Sequence, residues 1–377
     1  MVRRILGIDA LRAIGALMIV IGHFSTAFIP SEFDVPTYVT AIQNSFGFAV
    51  QLFFIIAGFT LSYRYYNRLN NKSELKNYYI IRFFRIAPVF YVMIVIWGCF
   101  YYFQMGVSFS PVEYLANFTF SFNFFPAMID SIVAAGWFIG VLFLFYLIFP
   151  ILIRIIRTAK VAIPIIIGVL VLSSYFFLYE ASRPELYNYG YKSVLTQFPF
   201  FLIGIGCFLL MRNVMFKEGF FEKISTKIIG GVLIGTSLFI FYLFSWDSPL
   251  NSFLFQKSYI LVIIYIGGLI YGLLLGGVIM YPWKGIVNRV SKFIADRSYS
   301  IYLLHLFLIQ ISLGLYTAIF YNINNFNLAY FVSILIILAI VIPISSIIYR
   351  FIEQPAYKYG KSLLLKKESG EIPSQNT

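Results

Sequence analysis

The sequence predicts an all-α, polytopic membrane protein of about ten transmembrane helices, with both termini inside. Three observations predict it. Of 377 residues, 60% are hydrophobic, 20% aromatic and only 11% charged. A soluble domain carries about a quarter charged residues, and so apolar a chain could not cover its core with polar surface. Ten apolar runs approach the roughly 17–25 residues that a helix needs to cross hydrocarbon. The Lys and Arg residues, finally, fall in alternate connections, as the positive-inside bias requires.

The runs are 11–29, 46–63, 86–105, 137–155, 161–179, 195–211, 228–245, 259–280, 298–320 and 328–349. The first begins like a signal peptide. However, Asp9 and Arg12 interrupt its start and no small-x-small cleavage site follows, so it reads as an uncleaved span. With the N-terminus inside, 25 of the 28 Lys and Arg lie on cytoplasmic segments, and only Arg183, Lys192 and Lys257 lie outside. A missed or invented span would destroy that alternation. Residues 1–357 read as one membrane domain, and 358–377 as a basic, disordered cytoplasmic tail. The location implied is a cell membrane, crossed many times.

The formal net charge of +13 would suggest nucleic acid in a soluble protein. Here the basic residues lie between apolar runs, which excludes a nucleic-acid partner and leaves the bilayer. Cys99 and Cys207 sit inside runs and form no CxxC, so neither a disulfide framework nor a metal site is expected. The pairs Gly230–Gly231, Gly267–Gly268 and Gly276–Gly277 read as close helix packing. Gly204-Ile-Gly206 lacks the strand and acidic residue of a dinucleotide loop.

No acid or base falls in the middle of a run; the ionisable residues at depth are the two histidines, His23 and His305. Arg12 and His23 are eleven positions apart, close to three helical turns, and so share one face. His23 then lies roughly 16 Å beyond Arg12, near mid-bilayer. Asp9, one turn before Arg12, can pair with it. A neutral imidazole there is suited to general-base work, or simply bonds a neighbouring helix. Arg82 and Arg85, in RFFRIAP just before the third run, share a face at the cytoplasmic boundary. They suit a bidentate grip on phosphate, or are ordinary positive-inside charge. SYSIYLLH opens the ninth run, placing His305 about 10 Å into the membrane and shallower than His23. Tyr302, one turn earlier, could orient it.

Together these segments resemble the acyltransferase-3 family of integral membrane acyltransferases. GIDALRAIGALMIVIGHF is similar to the family's opening Arg-x10-His segment. QLFFIIAGF is similar to its second-span motif, with Ala57 where Ser is common. RFFRIAP matches its Arg-x-x-Arg, and FPFFLIGIG, SYSIYLLH and RFIEQP follow in order. One departure stands out: GWFIGVLFLFYLIFP has Leu142 and Phe143 where many relatives carry two acids, although Trp137, Tyr146 and Pro150 remain. The residues after the spans carry no expectation of the esterase-like domain that some relatives attach there.

The resemblance implies transfer of an acyl group, usually acetyl, from acyl-coenzyme A to a hydroxyl presented outside, as on a surface glycan. The acyl-coenzyme A is a substrate, and no permanently bound cofactor or metal is implied. Its phosphates cannot enter hydrocarbon, so Arg82, Arg85 and Arg12 are placed to hold them. His23 is the expected base, with an acyl-imidazole as a variant. Arg12 and Asp9 would hold the foot of the site, while His305, Tyr302 and Trp137 support it. The rival functions are an exporter of a saccharide or lipid-linked intermediate, and a non-enzymatic assembly partner; further copies of the chain could join either. The outer segments 30–45 and 106–136 hold four acids and no Lys or Arg. Their aromatic and amide side chains could stack on a sugar, or simply anchor the spans.

Overall fold

A computed structural model describes residues 4–27, 29, 33–217, 219–243 and 260–368. Among these residues the regular structure is helical throughout. α1 (Leu6–Ala27), α2 (Thr37–Phe46) and α3 (Ala49–Tyr65) open the chain. α4 (Lys72–Met105) starts where Asn71 accepts from the Glu74 N–H and Glu74 accepts from the Asn70 N–H, both at 2.8 Å. It stops at Gly106, whose φ of 65° no other residue adopts as cheaply. Its 34 residues span about 50 Å. Arg82 and Arg85, expected just before a span, therefore stand inside one continuous helix.

α5 (Pro111–Phe118) lies in the 106–136 connection, followed by α6 (Trp137–Ile155), α7 (Ala159–Ala181), α8 (Tyr187–Lys192), α9 (Val194–Met215) and α10 (Ile224–Leu243). α11 (Ile260–Met280), α12 (Arg289–Ile311), α13 (Leu313–Asn322), α14 (Phe326–Ile348) and α15 (Gln354–Glu368) complete the bundle. The boundary expected at residue 357 falls inside α15; residues 369–377 and Lys257 lie outside the described residues.

Among the described residues, the apolar runs fall mainly on helices, and the run 298–320 is divided between α12 and α13. Among the described residues, seven helices are individually long and apolar enough to cross a membrane, and α12 with α13, bent by 59°, makes an eighth. α3, with 17 residues, and the apolar stretch Ile264–Met280 are shorter. On α7 and α10, large side chains such as Val171, Tyr175, Ile224 and Tyr242 stand exposed. That surface suits lipid, because the helices satisfy their own backbone.

The core is built on close crossings. A Cβ on Gly58 would lie 2.1 Å from the Phe201 carbonyl, and one on Gly204 the same distance from that of Ile55. α3 and α9 thus meet backbone to backbone, which no larger residue permits. Of the paired glycines, Gly230 and Gly277 face each other between α10 and α11, while Gly231 and Gly267 have open space. α1 packs most extensively against α12, and that pairing builds the site.

Candidate active site

α1 carries Asp9, Arg12 and His23 in one helix, but they do not act as one group. The Asp9 carboxylate, 6% exposed, accepts from Arg4, whose other arm donates to Asp296 on α12 at 2.7 Å. This is a correction to the Asp9–Arg12 pair expected from spacing. The fork of Arg4 reaches two carboxylates at once, a better arrangement than one i,i+3 contact. Asp9 therefore ties α1 to α12.

Arg12 instead faces a cavity of about 90 Å³, together with Arg82, Arg85, Thr60, Tyr146 and Tyr302. Three guanidiniums converge there, and the lining holds no carboxylate. Among the described residues none of the three forms an ion pair. Tyrosines from three helices surround Arg82: its guanidinium carbon lies 5.2 Å from the Tyr65 ring, 5.8 Å from Tyr78 and 5.4 Å from Tyr146. Such faces stabilise a cation without neutralising it. Arg82 also donates to the Tyr65 hydroxyl at 3.2 Å, yet its buried Nε has no partner. Arg85 stands over Tyr357 at 5.7 Å. An anion entering this cavity would meet three unpaired positive charges.

The histidines meet each other. His305 Nδ1 faces the Tyr302 carbonyl at 2.5 Å. A carbonyl only accepts, so in the neutral ring this nitrogen carries the proton and Nε2 the lone pair. That Nε2 lies 3.2 Å from His23 Nδ1, which also faces the Ile19 carbonyl at 3.0 Å. Two acceptors thus place the proton of neutral His23 on Nδ1 and leave its Nε2 bare. The contact corrects the expected depths, which put His305 shallower than His23. α12 begins at Arg289 rather than Ser298, and counting along each helix separately ignores how far one is offset along the other.

Tyr302 connects the two groups. Its ring lines the cavity, its carbonyl holds His305, and its hydroxyl donates to the Ala135 carbonyl at 2.7 Å. Its backbone carbonyl holds the His305 Nδ1, and its ring lies beside the imidazole, centroids 5.6 Å apart. Ala135 itself has a φ of 61°, a strained conformation for alanine, where the 106–136 connection enters the bundle. Neither histidine lines the 90 Å³ cavity. Trp137 is buried beside Tyr191, ring centroids 5.8 Å apart, and next to Phe138, which packs on Tyr302 at 4.8 Å.

Sequence reasoning missed several of these groups. Tyr65 and Tyr78 do not stand out among 29 tyrosines, and Tyr146 is marked only as part of the fourth-span motif. Gln51 donates to Tyr191 and to Gln197, each at 3.2 Å, and its buried oxygen is unpartnered; two amides in apolar runs were the available signal. Glu353, 2% exposed in the RFIEQP segment, accepts from Ser300 at 2.6 Å.

Residues 5–350 match the acyltransferase-3 family, described as an acyltransferase domain. The chain belongs to that family. The peptidoglycan O-acetyltransferase OatA of Listeria monocytogenes serovar 1/2a (strain ATCC BAA-679 / EGD-e) is 24% identical over 383 residues, covering 94% of this chain and 56% of that protein. The chain thus spans little more than half the length of this curated relative. No solved structure matches it. The acyltransferase-3 motifs quoted from the sequence fall on α1, α3, α4, α9, α12 and the α14–α15 junction, and those on α1, α3, α4 and α12 contribute residues to the cavity or the histidine pair.

Proposed function

We propose that this acyltransferase-3 chain moves an acyl group, most simply acetyl, from cytosolic acyl-coenzyme A to a hydroxyl of a saccharide outside the cell. The observation that carries the reading is the convergence of Arg12, Arg82 and Arg85 on one cavity without a carboxylate. Unpaired guanidiniums are costly beside hydrocarbon, and a phosphate-bearing donor offsets that cost through charge-assisted hydrogen bonds. The basic end of the bundle is then the cytosolic one. The OatA relative supports O-acetylation as the reaction and a surface glycan as the acceptor class.

The histidine pair supplies the chemistry. The bare His23 Nε2 takes the proton of the acceptor hydroxyl as its oxygen attacks the thioester carbonyl. The tetrahedral intermediate collapses, the carbon–sulfur bond breaks, and the departing thiolate recovers the proton from Nε2. During the interval His23 is an imidazolium, whose Nδ1–H is held by His305 Nε2 and the Ile19 carbonyl. His305 is in this reading a positioning residue. An acyl-imidazole on the same Nε2 is the variant path.

A transporter is the second reading, and one observation favours it. α12 and α13 break by 59° only seven residues after His305, and broken helices line the sites of many carriers. Purified chain incubated with labelled acetyl-coenzyme A and an acceptor glycan separates the two. Acceptor-dependent release of free coenzyme A, with label on the glycan, is the expected result. Movement of the acceptor across a membrane without loss of thioester would overturn the enzyme reading.

A further inference from the structure

The arginine cavity and the histidine pair are separate volumes, and two rings stand between them. Phe138 and Tyr302 both line the cavity and pack on each other, centroids 4.8 Å apart. The Tyr302 ring also lies 5.6 Å from that of His305, which does not line the cavity. A thioester entering past the arginines therefore meets the Tyr302 ring before it meets the pair, and reaches His23 only when that ring turns.

The ring is held at its tip. The Tyr302 hydroxyl donates to the Ala135 carbonyl at 2.7 Å, on the strap 131–136 that leads into α6 at the end of the bundle away from the arginines. Among the described residues three non-glycine residues have left-handed backbone, and all three fall in this connection: Phe120 at a φ of 59°, Ser131 at 66° and Ala135 at 61°. Such backbone is costly for a residue with a Cβ and persists only where its surroundings over-determine it. Here they do. Asn117, 1% exposed, accepts from the Ser131 hydroxyl at 2.5 Å and from the Ile132 N–H at 3.1 Å. The Gly136 N–H donates to the Val133 carbonyl at 2.7 Å, and Asp130, just before the strap, pairs with Lys192 on α8.

The strap also borders polar groups that suit a sugar. Trp137 follows it directly and lies beside Tyr191. The Tyr191 hydroxyl accepts from Gln51, whose buried oxygen has no partner. An aromatic face beside an unmet hydrogen-bond acceptor offers a saccharide hydroxyl both packing and a bond.

We propose that Ala135 and Tyr302 form a latch that makes the chain prefer a saccharide hydroxyl to water. While it is closed the Tyr302 ring keeps the thioester from His23; an acceptor seated against the strap and Trp137 releases it. The inference rests on the acyl-transfer reading above and deepens it. Without a latch the same base would serve water: its oxygen bonds to the thioester carbonyl carbon, the carbon–sulfur bond breaks, one proton passes through His23 Nε2 to the thiolate, and the other is released with acetate. Keeping that reaction shut until the acceptor is in place is the work of a closing segment. The strain at Ser131 and Ala135 favours opening, because it is relieved when the strap moves.

The test uses the full chain purified in detergent, with two readouts: release of free coenzyme A from acetyl-coenzyme A without acceptor, and hydrogen exchange of the amides of 131–136. Tyr302→Phe keeps the ring and removes the latch bond. It should raise both rates by roughly fivefold, the weight of one neutral hydrogen bond. Ala135→Gly makes the closed backbone cheap, so it should slow exchange and leave release no higher than in the wild type. A merely structural role would loosen the strap in both variants alike. Equal exchange in all three proteins, or faster exchange in both variants, would overturn the latch. So would faster exchange in Tyr302→Phe with no rise in release, when the wild type acetylates soluble peptidoglycan fragments. The same pair of results from a wild type that transfers acetyl to nothing sinks the transferase reading instead, and the exchange still upholds the contact between Tyr302 and the strap.

Discussion

His305 Nε2 stands 3.2 Å from His23 Nδ1 across 282 residues of sequence, and a backbone carbonyl faces each ring: Tyr302 for His305 and Ile19 for His23. Because carbonyls only accept, the geometry selects one tautomer of each neutral ring and directs a single lone pair, His23 Nε2, away from the pair. In a hydrocarbon setting, where water cannot supply partners, such a selection persists.

His23→Ala should therefore abolish transfer, a loss of roughly 10²-fold or more, while the chain still inserts in the membrane. His305→Gln, whose amide oxygen can accept from His23 Nδ1–H, should keep more kcat than His305→Leu, with KM for acyl-coenzyme A unchanged in both. Equal activity of the Gln and Leu variants would show that His305 only fills space. Single-turnover kinetics on detergent-purified variants make the comparison.

Arg82→Ala or Arg85→Ala should raise KM for acyl-coenzyme A by roughly tenfold, with little change in KM for the acceptor. Arg82→Lys should behave nearly as badly as alanine, because an ammonium cannot spread over the three tyrosine rings as a planar guanidinium does. An effect confined to the acceptor constant would remove phosphate binding from this cavity.

Gly204→Leu and Gly58→Val should each prevent accumulation of a monodisperse protein. The 2.1 Å approach to a backbone carbonyl leaves no flexible atom to give way, so α3 and α9 must separate, at a cost of at least about 1–3 kcal/mol. Gly231→Ala, in open space, is the control and should elute as the wild type does on size exclusion.

Arg4→Ala should act on stability more than on chemistry. It removes the bridge between Asp9 and Asp296, part of it solvent-exposed, and should lower Tm by roughly 2–4 °C with kcat close to normal. A large kcat loss with unchanged Tm would return Asp9 to the reacting groups.

How much of this was legible in the residues depends on whether a property is local. The apolar runs became helices because a backbone in lipid must bond within itself, and the Arg-x10-His and Arg-x-x-Arg spacings marked Arg12, His23, Arg82 and Arg85. Depth counted from the start of a run failed for His305, because α12 starts nine residues earlier than its apolar stretch. Spacing also paired Asp9 with Arg12, since nothing near them in the chain announced Asp296.

The all-helical class, the membrane setting and the family were thus decided by composition, by apolar periodicity and by short motifs, quantities that a solvent or a single helix reads directly. Only the tertiary structure decided that Arg12 turns to Arg82 and Arg85, that His23 meets His305 and that Tyr65, Tyr78 and Tyr146 enclose a cation. Those contacts depend on the offset and rotation of one helix against another. The Arg4 bridge ties α1 to α12 and the glycine crossing ties α3 to α9, each through residues far apart in the chain.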